Sequence, residues 1–260
     1  MAPGTVSVRY VGGPTAVLEI GGHRLLTDPT FDGPGDYPVG SRTLTKTAGP
    51  AVEPEGLGRI DAVLLSHDQH PDNLDRRGRG LLARVPLTLS TPPAGQRLGG
   101  NVRPLRAWES AHLEREGAAL LRVTAVPALH GPPGSEHLVG EVTGFVLAGA
   151  GLPTVYVSGD NASLDLVRET ADRLGPVDVA LIFAGGARTA LLGDAYLTLP
   201  SEGAVEAARI LGARHVVPIH FEGWAHFSQG RDTLRDAFAG SELADRLHLL
   251  EPAEVRDLPV

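Results

Sequence analysis

The chain of 260 residues has no cysteine. Disulfides and thiolate metal ligands are therefore excluded, and any metal must be held by imidazole, carboxylate or carbonyl groups, which suit zinc, manganese or iron. It has no apolar stretch approaching the ~18 residues of a membrane span, and its start, MAPGTVSVRYVGG, has no apolar signal-peptide run. A cytoplasmic protein without a membrane partner is the expectation. Positive charge is also in short supply, with 23 Lys and Arg against 31 Asp and Glu and a formal net charge of −8. That balance argues against nucleic acid as the partner. Repeats, low-complexity tracts and charge blocks are missing too, so no linker is found and one domain over residues 1–260 is expected.

Glycine and proline are abundant, 33 and 21 residues, and spread along the chain, which implies many turns between short elements. The first half reads mostly as strands: TVSVRYVGG, then TAVLEIGGHRLLTDPT broken by a Gly21-Gly22 turn, then DAVLLS, VPLTLST and two strands around Gly117. Residues 31–60, rich in Gly and Pro, read as one long loop. VTGFVLAG and PTVYVSGD pair as a hairpin. The second half alternates. SLDLVRETADRLG is helical and stops at Gly175, VDVALIFAGG is an apolar strand, PSEGAVEAARILGA is a helix begun by Pro200 and Ser201, and HVVPIHF is a strand. GRDTLRDAFAGSELADRL is helical with a break near Gly240, and LHLLEP reads as a last strand. Strands followed by alternating strands and helices are satisfied by two sheets packed face to face with helices outside.

Several strands end in a ligand-grade side chain. VLLSHDQHPDNLD, Val63 to Asp75, crowds His67, Asp68, His70 and Asp72 behind an apolar run. VTAVPALH ends at His130, TVYVSGD at Asp160 and HVVPIH at His220. Strands of one sheet can deliver their end residues to one edge, and a rigid strand end holds a ligand better than a mobile loop does. A lone histidine after a strand is more often a satisfied polar residue than a ligand. The ordered set is much harder to obtain by accident.

On these motifs the chain resembles the metallo-β-lactamase superfamily, in its ascorbate-phosphate-lactonase-like branch. SHDQHPDNLD is similar to the signature His-x-His-x-Asp-His loop, VRYVGGPTAVLEIGGHRLLTDPTF to the first hairpins and their Asp-Pro turn at Asp28-Pro29, and ALHGPPG, VSGD and VPIHFEGW to the later motifs in order. The resemblance covers nearly the whole chain. It implies an α/β fold, a four-layer αββα sandwich of two mixed β-sheets flanked by helices. It also implies a first metal held by His67, His70 and His130, a bridging carboxylate at Asp160, and second-metal ligands at Asp72 and His220. The cofactor it implies is one or two zinc ions, with manganese or iron as alternatives.

Two departures stand out. The remaining second-metal histidine of the family falls on Asn73, whose amide oxygen is a weaker ligand than imidazole, so a weak or empty second site is expected. His67 and His70 are three apart where the pattern has two. Inserting Gln69 keeps His67 as first ligand, while an ungapped register puts Asp68 there. His67 is favoured because Ser-His after an apolar strand matches the family and Asp68 matches the residue that follows. If the second site is empty, Asp72 becomes a candidate general base. His226 is a candidate to donate to the substrate or to a developing oxyanion, with a surface loop histidine as the alternative. Trp224 reads as a packed aromatic with a pocket wall as the alternative, Arg188 as an exposed arginine on a plain turn with anion binding as the alternative, and Asp28 as an organiser of the site edge that need not touch metal. His23, His112, His137, His215 and His248 lack a constellation and read as structural or exposed.

The expected activity is metal-dependent hydrolysis of a small ester, lactone or phosphoester. The alternatives are a degenerate binding module, which Asn73 keeps open, and a nuclease or RNA-processing hydrolase, which the acidic balance disfavours. A small molecule is the expected partner; homo-oligomerisation is left open.

Overall fold

The computed structural model describes residues 4–40 and 42–260; Met1–Pro3 and Ser41, the last of them inside the expected long loop, lie outside the described residues. The chain opens with three antiparallel strands, β1 (Thr5–Gly12), β2 (Thr15–Ile20) and β3 (His23–Thr27). A separate hairpin follows, β4 (Gly35–Val39) and β5 (Arg42–Lys46). Then come β6 (Ala62–Leu64), α1 (Arg76–Leu82), β7 (Thr88–Ser90), α2 (Pro92–Leu98) and β8 (Val102–Pro104). The second sheet is built from β9 (Ser110–Leu113), β10 (Leu121–Pro127), β11 (Thr143–Ala148), β12 (Val155–Val157), β13 (Val179–Phe183) and β14 (His215–Ile219). Helices α3 (Glu136–Val139), α4 (Leu164–Leu174), α5 (Ser201–Ile210) and α6 (Arg231–Ala239) are interleaved with it, and β15 (Val255–Pro259) returns to the first sheet.

The two large sheets have the orders β15-β1-β2-β3-β6-β7-β8 and β14-β13-β12-β11-β10-β9, and both mix parallel with antiparallel pairs. Alternation decides the layers. Inward residues of the first sheet, among them Val6, Val8 and Leu18, meet Val123, Phe145 and Leu181 of the second in one apolar core. The opposite face of the second sheet is covered by α4, α5 and α6 through Val167, Val205 and Leu234. The outer face of the first is covered through Leu81 and Leu82 of α1 and through Phe31, Val52 and Leu57. The αββα sandwich expected from the sequence is therefore present.

Four local readings are corrected. The stretch 31–60 is not one loop but holds the β4–β5 hairpin and a 3-10 turn at Pro54–Gly56. Helices α1 and α2 were not expected, because RRGRGLL and PPAGQRL carry glycines or prolines that disfavour helix. Their caps are sound: Asp75 accepts from the Gly78 amide and Thr91 from the Ala94 amide. The short β8 and α3 were also missed, each being only one turn or three residues long. The last strand is not LHLLEP but VRDLP, β15, which pairs with β1.

Strand direction places the functional edge. Strands β12, β13 and β14 run parallel, and β10, antiparallel to β11, points the same way. Their carboxyl ends, which lead to His130, Asp160 and His220, emerge on one side of the sandwich. The loop after β6 meets them there: the Thr143 amide donates to the Ser66 carbonyl at 3.1 Å.

Candidate metal centre

The loop from Ser66 to Asp75 is held from below by one buried carboxylate. Asp28 accepts from the Ser66 amide at 2.6 Å, from Ser66 Oγ at 2.5 Å and from Asn73 Nδ2 at 2.9 Å. Ser66 Oγ in turn lies 3.0 Å from His67 Nδ1. With the Nδ1 proton directed at Ser66, His67 presents the Nε2 lone pair to the centre; such outer partners fix tautomer and ring orientation in metal sites. His130 is fixed likewise, its Nδ1 2.8 Å from the Leu197 carbonyl oxygen. Asp160 follows Gly159, whose φ is +57° and where a Cβ would come within 2.5 Å of the Thr143 carbonyl oxygen and 2.9 Å of Ser66 Cβ. Glycine there lets β12 and the signature loop approach each other. His220 adopts φ 57°, an uncommon value for a residue with a side chain, and its amide donates to the Gly13 carbonyl at 2.7 Å.

Two buried groups result. His67, His70, His130 and Asp160 offer ligand atoms to one point, and Asp72, Asp160 and His220 to a second, with Asp160 common to both. His67 Nε2 and His70 Nδ1 lie 3.0 Å apart. His220 Nε2 lies 3.3 Å from Asp160 Oδ1 and 3.5 Å from Asp72 Oδ2. Asp68 is in neither group: it is buried against Arg97, whose Nε donates to its two carboxylate oxygens at 3.0 and 3.1 Å. Asn73 is fully buried, with its amide nitrogen committed to Asp28 and its Oδ1 unpartnered. His226 lies in the site, 15% exposed, with Nε2 3.1 Å from Asp72 Oδ2. Trp224 is buried behind it, at 6.2 Å between ring centroids. Arg188 is exposed, though it lines the cavity above the centre. His215 and His248 pair with each other at 3.0 Å, His215 at the start of β14 and so at the opposite end of that strand from His220.

The donor set fits a cation. Burial, followed by neighbouring imidazole charge, pushes His67 well down and His70 down to about 4, so both are neutral at physiological pH. Burial works against ionised Asp160, but the nearby His220 and His130 imidazoles overcome it and hold the carboxyl well below the usual range. Burial alone would lower His220, yet the charges of Asp160 and Asp72, in close contact with its Nε2, raise it to about 10. Both oxygens of Asp160, Oδ1 of Asp72 and both ring nitrogens of His220 are buried without a hydrogen-bond partner of good geometry among the described residues. Buried acceptors without donors are costly unless a cation satisfies them.

An αββα sandwich with imidazoles and carboxylates converging on the strand ends has the build of a metal-dependent hydrolase. The family model of the beta-lactamase superfamily domain matches residues 23–221, and the chain belongs to that superfamily, as a metal-dependent hydrolase of the metallo-β-lactamase fold. It is similar to a UPF0173 metal-dependent hydrolase of Pyrococcus furiosus, 25% identical over 229 residues that cover 84% of this chain and 86% of the relative. Among solved structures it is similar to the isothiocyanate hydrolase from Delia radicum gut bacteria, with a TM-score of 0.80 at 20% identity over 98% of this chain and 100% of that one. It also matches CmlA, a diiron β-hydroxylase from Streptomyces venezuelae, with a TM-score of 0.67 at 21% identity over 98% of this chain and 54% of that one. At these identities the structural likeness concerns the fold. Among the described residues no helix is long and apolar enough to cross a membrane.

Proposed function

We propose that this chain hydrolyses a small ester, lactone or phosphoester at a zinc-type centre. His67, His70 and His130 with Asp160 would hold the first ion, and Asp72 and His220, sharing Asp160, would supply a weaker second position. The observation that carries the reading is the unpartnered, buried acceptor set around Asp160, within reach of three imidazoles. The neutral nitrogen and carboxylate oxygen donors suit zinc, with manganese or iron as alternatives. A divalent cation so held lowers the pKa of a water toward ~7 and polarises the carbonyl or phosphoryl oxygen under attack.

The remaining steps belong to the chain's own side chains. Asp72 accepts a proton at Oδ1 when the second position is empty, being ionised by its hydrogen bonds to His220 and His226 against the pull of burial. His226, oriented by Asp72, lines the cavity and donates to the oxyanion or leaving group. Ser66 and Asp28 keep the His67 ring fixed while this happens. The cavity above the centre, about 220 Å³, limits the substrate to a small molecule. The cytoplasm is the expected compartment.

Elemental analysis of the purified protein, with a panel of ester, lactone and phosphoester substrates, tests the proposal. Stoichiometric metal and turnover of at least one class are expected. His130→Ala should lose both yet stay folded, since a strand-end ligand adds little to the core and a chain of this size does not depend on a metal for folding. A parent that holds no stoichiometric metal would instead make the site a binding module.

A further inference from the structure

The cavity over the metal centre has two unlike ends. Its floor is His70, Asp72, His130 and His226, while its rim carries Arg42 and Arg188. Arg42 stands on β5 of the separate hairpin, and its Nη1 donates to Thr189 Oγ1 at 2.8 Å, tying the hairpin to the loop after β13 across the mouth. Arg188 Cζ lies over the Tyr196 ring, 4.3 Å from its centroid, a contact that holds the guanidinium without using its donors. Among the described residues neither arginine has a carboxylate within 4.0 Å, whereas Arg24, Arg59, Arg77, Arg97, Arg209 and Arg231 all do. Among the described residues Arg9, Arg76, Arg79, Arg103, Arg122 and Arg246 likewise have no such pair; what sets Arg42 and Arg188 apart is that both line the cavity over the metal centre. They do not close the site with a protein carboxylate, and the hydrogen bond to Thr189 leaves most of the Arg42 donors free.

We infer that Arg42 and Arg188 form an anion clamp, and that the substrate carries a carboxylate or phosphate at the end remote from the scissile bond. Guanidinium is the side chain whose fork of donors matches both groups. The proposal rests on the hydrolase reading for the other end of the substrate, which the cavity floor receives. A cavity of about 220 Å³ lined by both the floor residues and the two arginines suits one compact molecule that carries the scissile group and the anion together. Holding the remote end orients the reacting carbonyl or phosphoryl over the floor, which is how binding energy away from the chemistry is converted into rate.

Calorimetric titration of the metal-loaded protein tests this with three probes that carry an amide in place of the ester: succinamate, 3-phosphonopropanamide and neutral succinamide. At least one anion should bind about tenfold or more tightly than succinamide, as charge-assisted hydrogen bonds require. The tighter of the two anions identifies carboxylate or phosphate as the recognised group. Arg42→Met and Arg188→Met should each erode the preference, and the double variant should abolish it, with metal content unchanged. Equal affinity for anion and neutral probe, no binding of any probe, or a preference that survives the double substitution overturns the clamp. Turnover is not needed for this outcome. Anion binding at the arginines without cleavage of any ester, lactone or phosphoester leaves the clamp standing and overturns the hydrolase reading alone.

Discussion

Replacing Asn73 by alanine removes one of three donors to a carboxylate that has no access to water. Asp28 is 1% exposed, and burial raises its carboxyl to about 7 in spite of the hydrogen bonds from Ser66 and Asn73. Above that pH it is an anion, and losing the 2.9 Å bond from Asn73 Nδ2 should cost ~1.5–3 kcal/mol, the range for hydrogen bonds to charged groups. Well below it the carboxyl is neutral in the fold, and the same loss falls to ~0.5–1.5 kcal/mol. The difference, about 1 kcal/mol, is close to a further one-unit rise of the Asp28 pKa at 1.36 kcal/mol per unit. A carboxyl raised in the fold favours folding fully below its unfolded pKa and loses that contribution as pH rises through the folded value. The variant should therefore be more destabilised at pH 8.5 than at pH 5.5. Urea denaturation of chelator-treated parent and Asn73→Ala at both pH values measures this. Equal cost at the two pH values would refute the assignment of Asn73 to Asp28. Asn73→His belongs to the same argument: the larger ring must fit a space with no exposure, at ~1–3 kcal/mol, and should not raise the metal stoichiometry. A variant that gains an ion at unchanged stability would return position 73 to the ligand set.

The register of the signature loop is tested by a pair of substitutions: His67→Ala should lower first-site metal affinity by about tenfold or more, while Asp68→Asn should leave it intact. Arg97, 44% exposed, rehydrates readily in the second variant, so its stability cost should be about 1 kcal/mol or less in chemical denaturation. Gly159→Ala should unfold the protein or lower its urea midpoint by the equivalent of ~2 kcal/mol or more and weaken metal binding, because the new Cβ meets the Thr143 carbonyl oxygen at 2.5 Å in a left-handed backbone conformation; a stable variant with full metal content would contradict the close approach. Metal binding at the second group should expel the proton that Asp160 and Asp72 hold on His220, whose pKa is raised to about 10 without the cation. Metal affinity should therefore climb with pH up to about 10, and calorimetry in buffers of different ionisation enthalpy should show proton release at pH 8. The same shift makes His220 a stabilising group in the metal-free fold below its unfolded pKa, with the contribution lost as pH rises through about 10.

The sequence by itself determined the layers and the edge. Short apolar strands in TVSVRYVG and TAVLEI, continuous apolar runs in VALIF and HVVPI, and amphipathic helices stopped by Gly175 and Gly212 specify two sheets with helices outside, because strands buried on both faces need a second layer on each side. Ligand-grade residues placed after those strands were visible for the same reason, since parallel strands deliver their ends to one side. Local pattern could not reach α1, α2 and the β4–β5 hairpin, where composition opposes or obscures the element and packing overrides it; only the caps at Asp75 and Thr91 were available as signals. It could not separate His67 from Asp68, because neighbours in sequence differ in direction only once a partner exists: Arg97 takes Asp68 from α2, and Ser66 turns His67 inward. Nor could it pair Asn73 with Asp28, 45 residues away, or bring Arg42 and Arg188 to one rim. Those contacts depend on distances across the sandwich edge, and tertiary structure alone sets them.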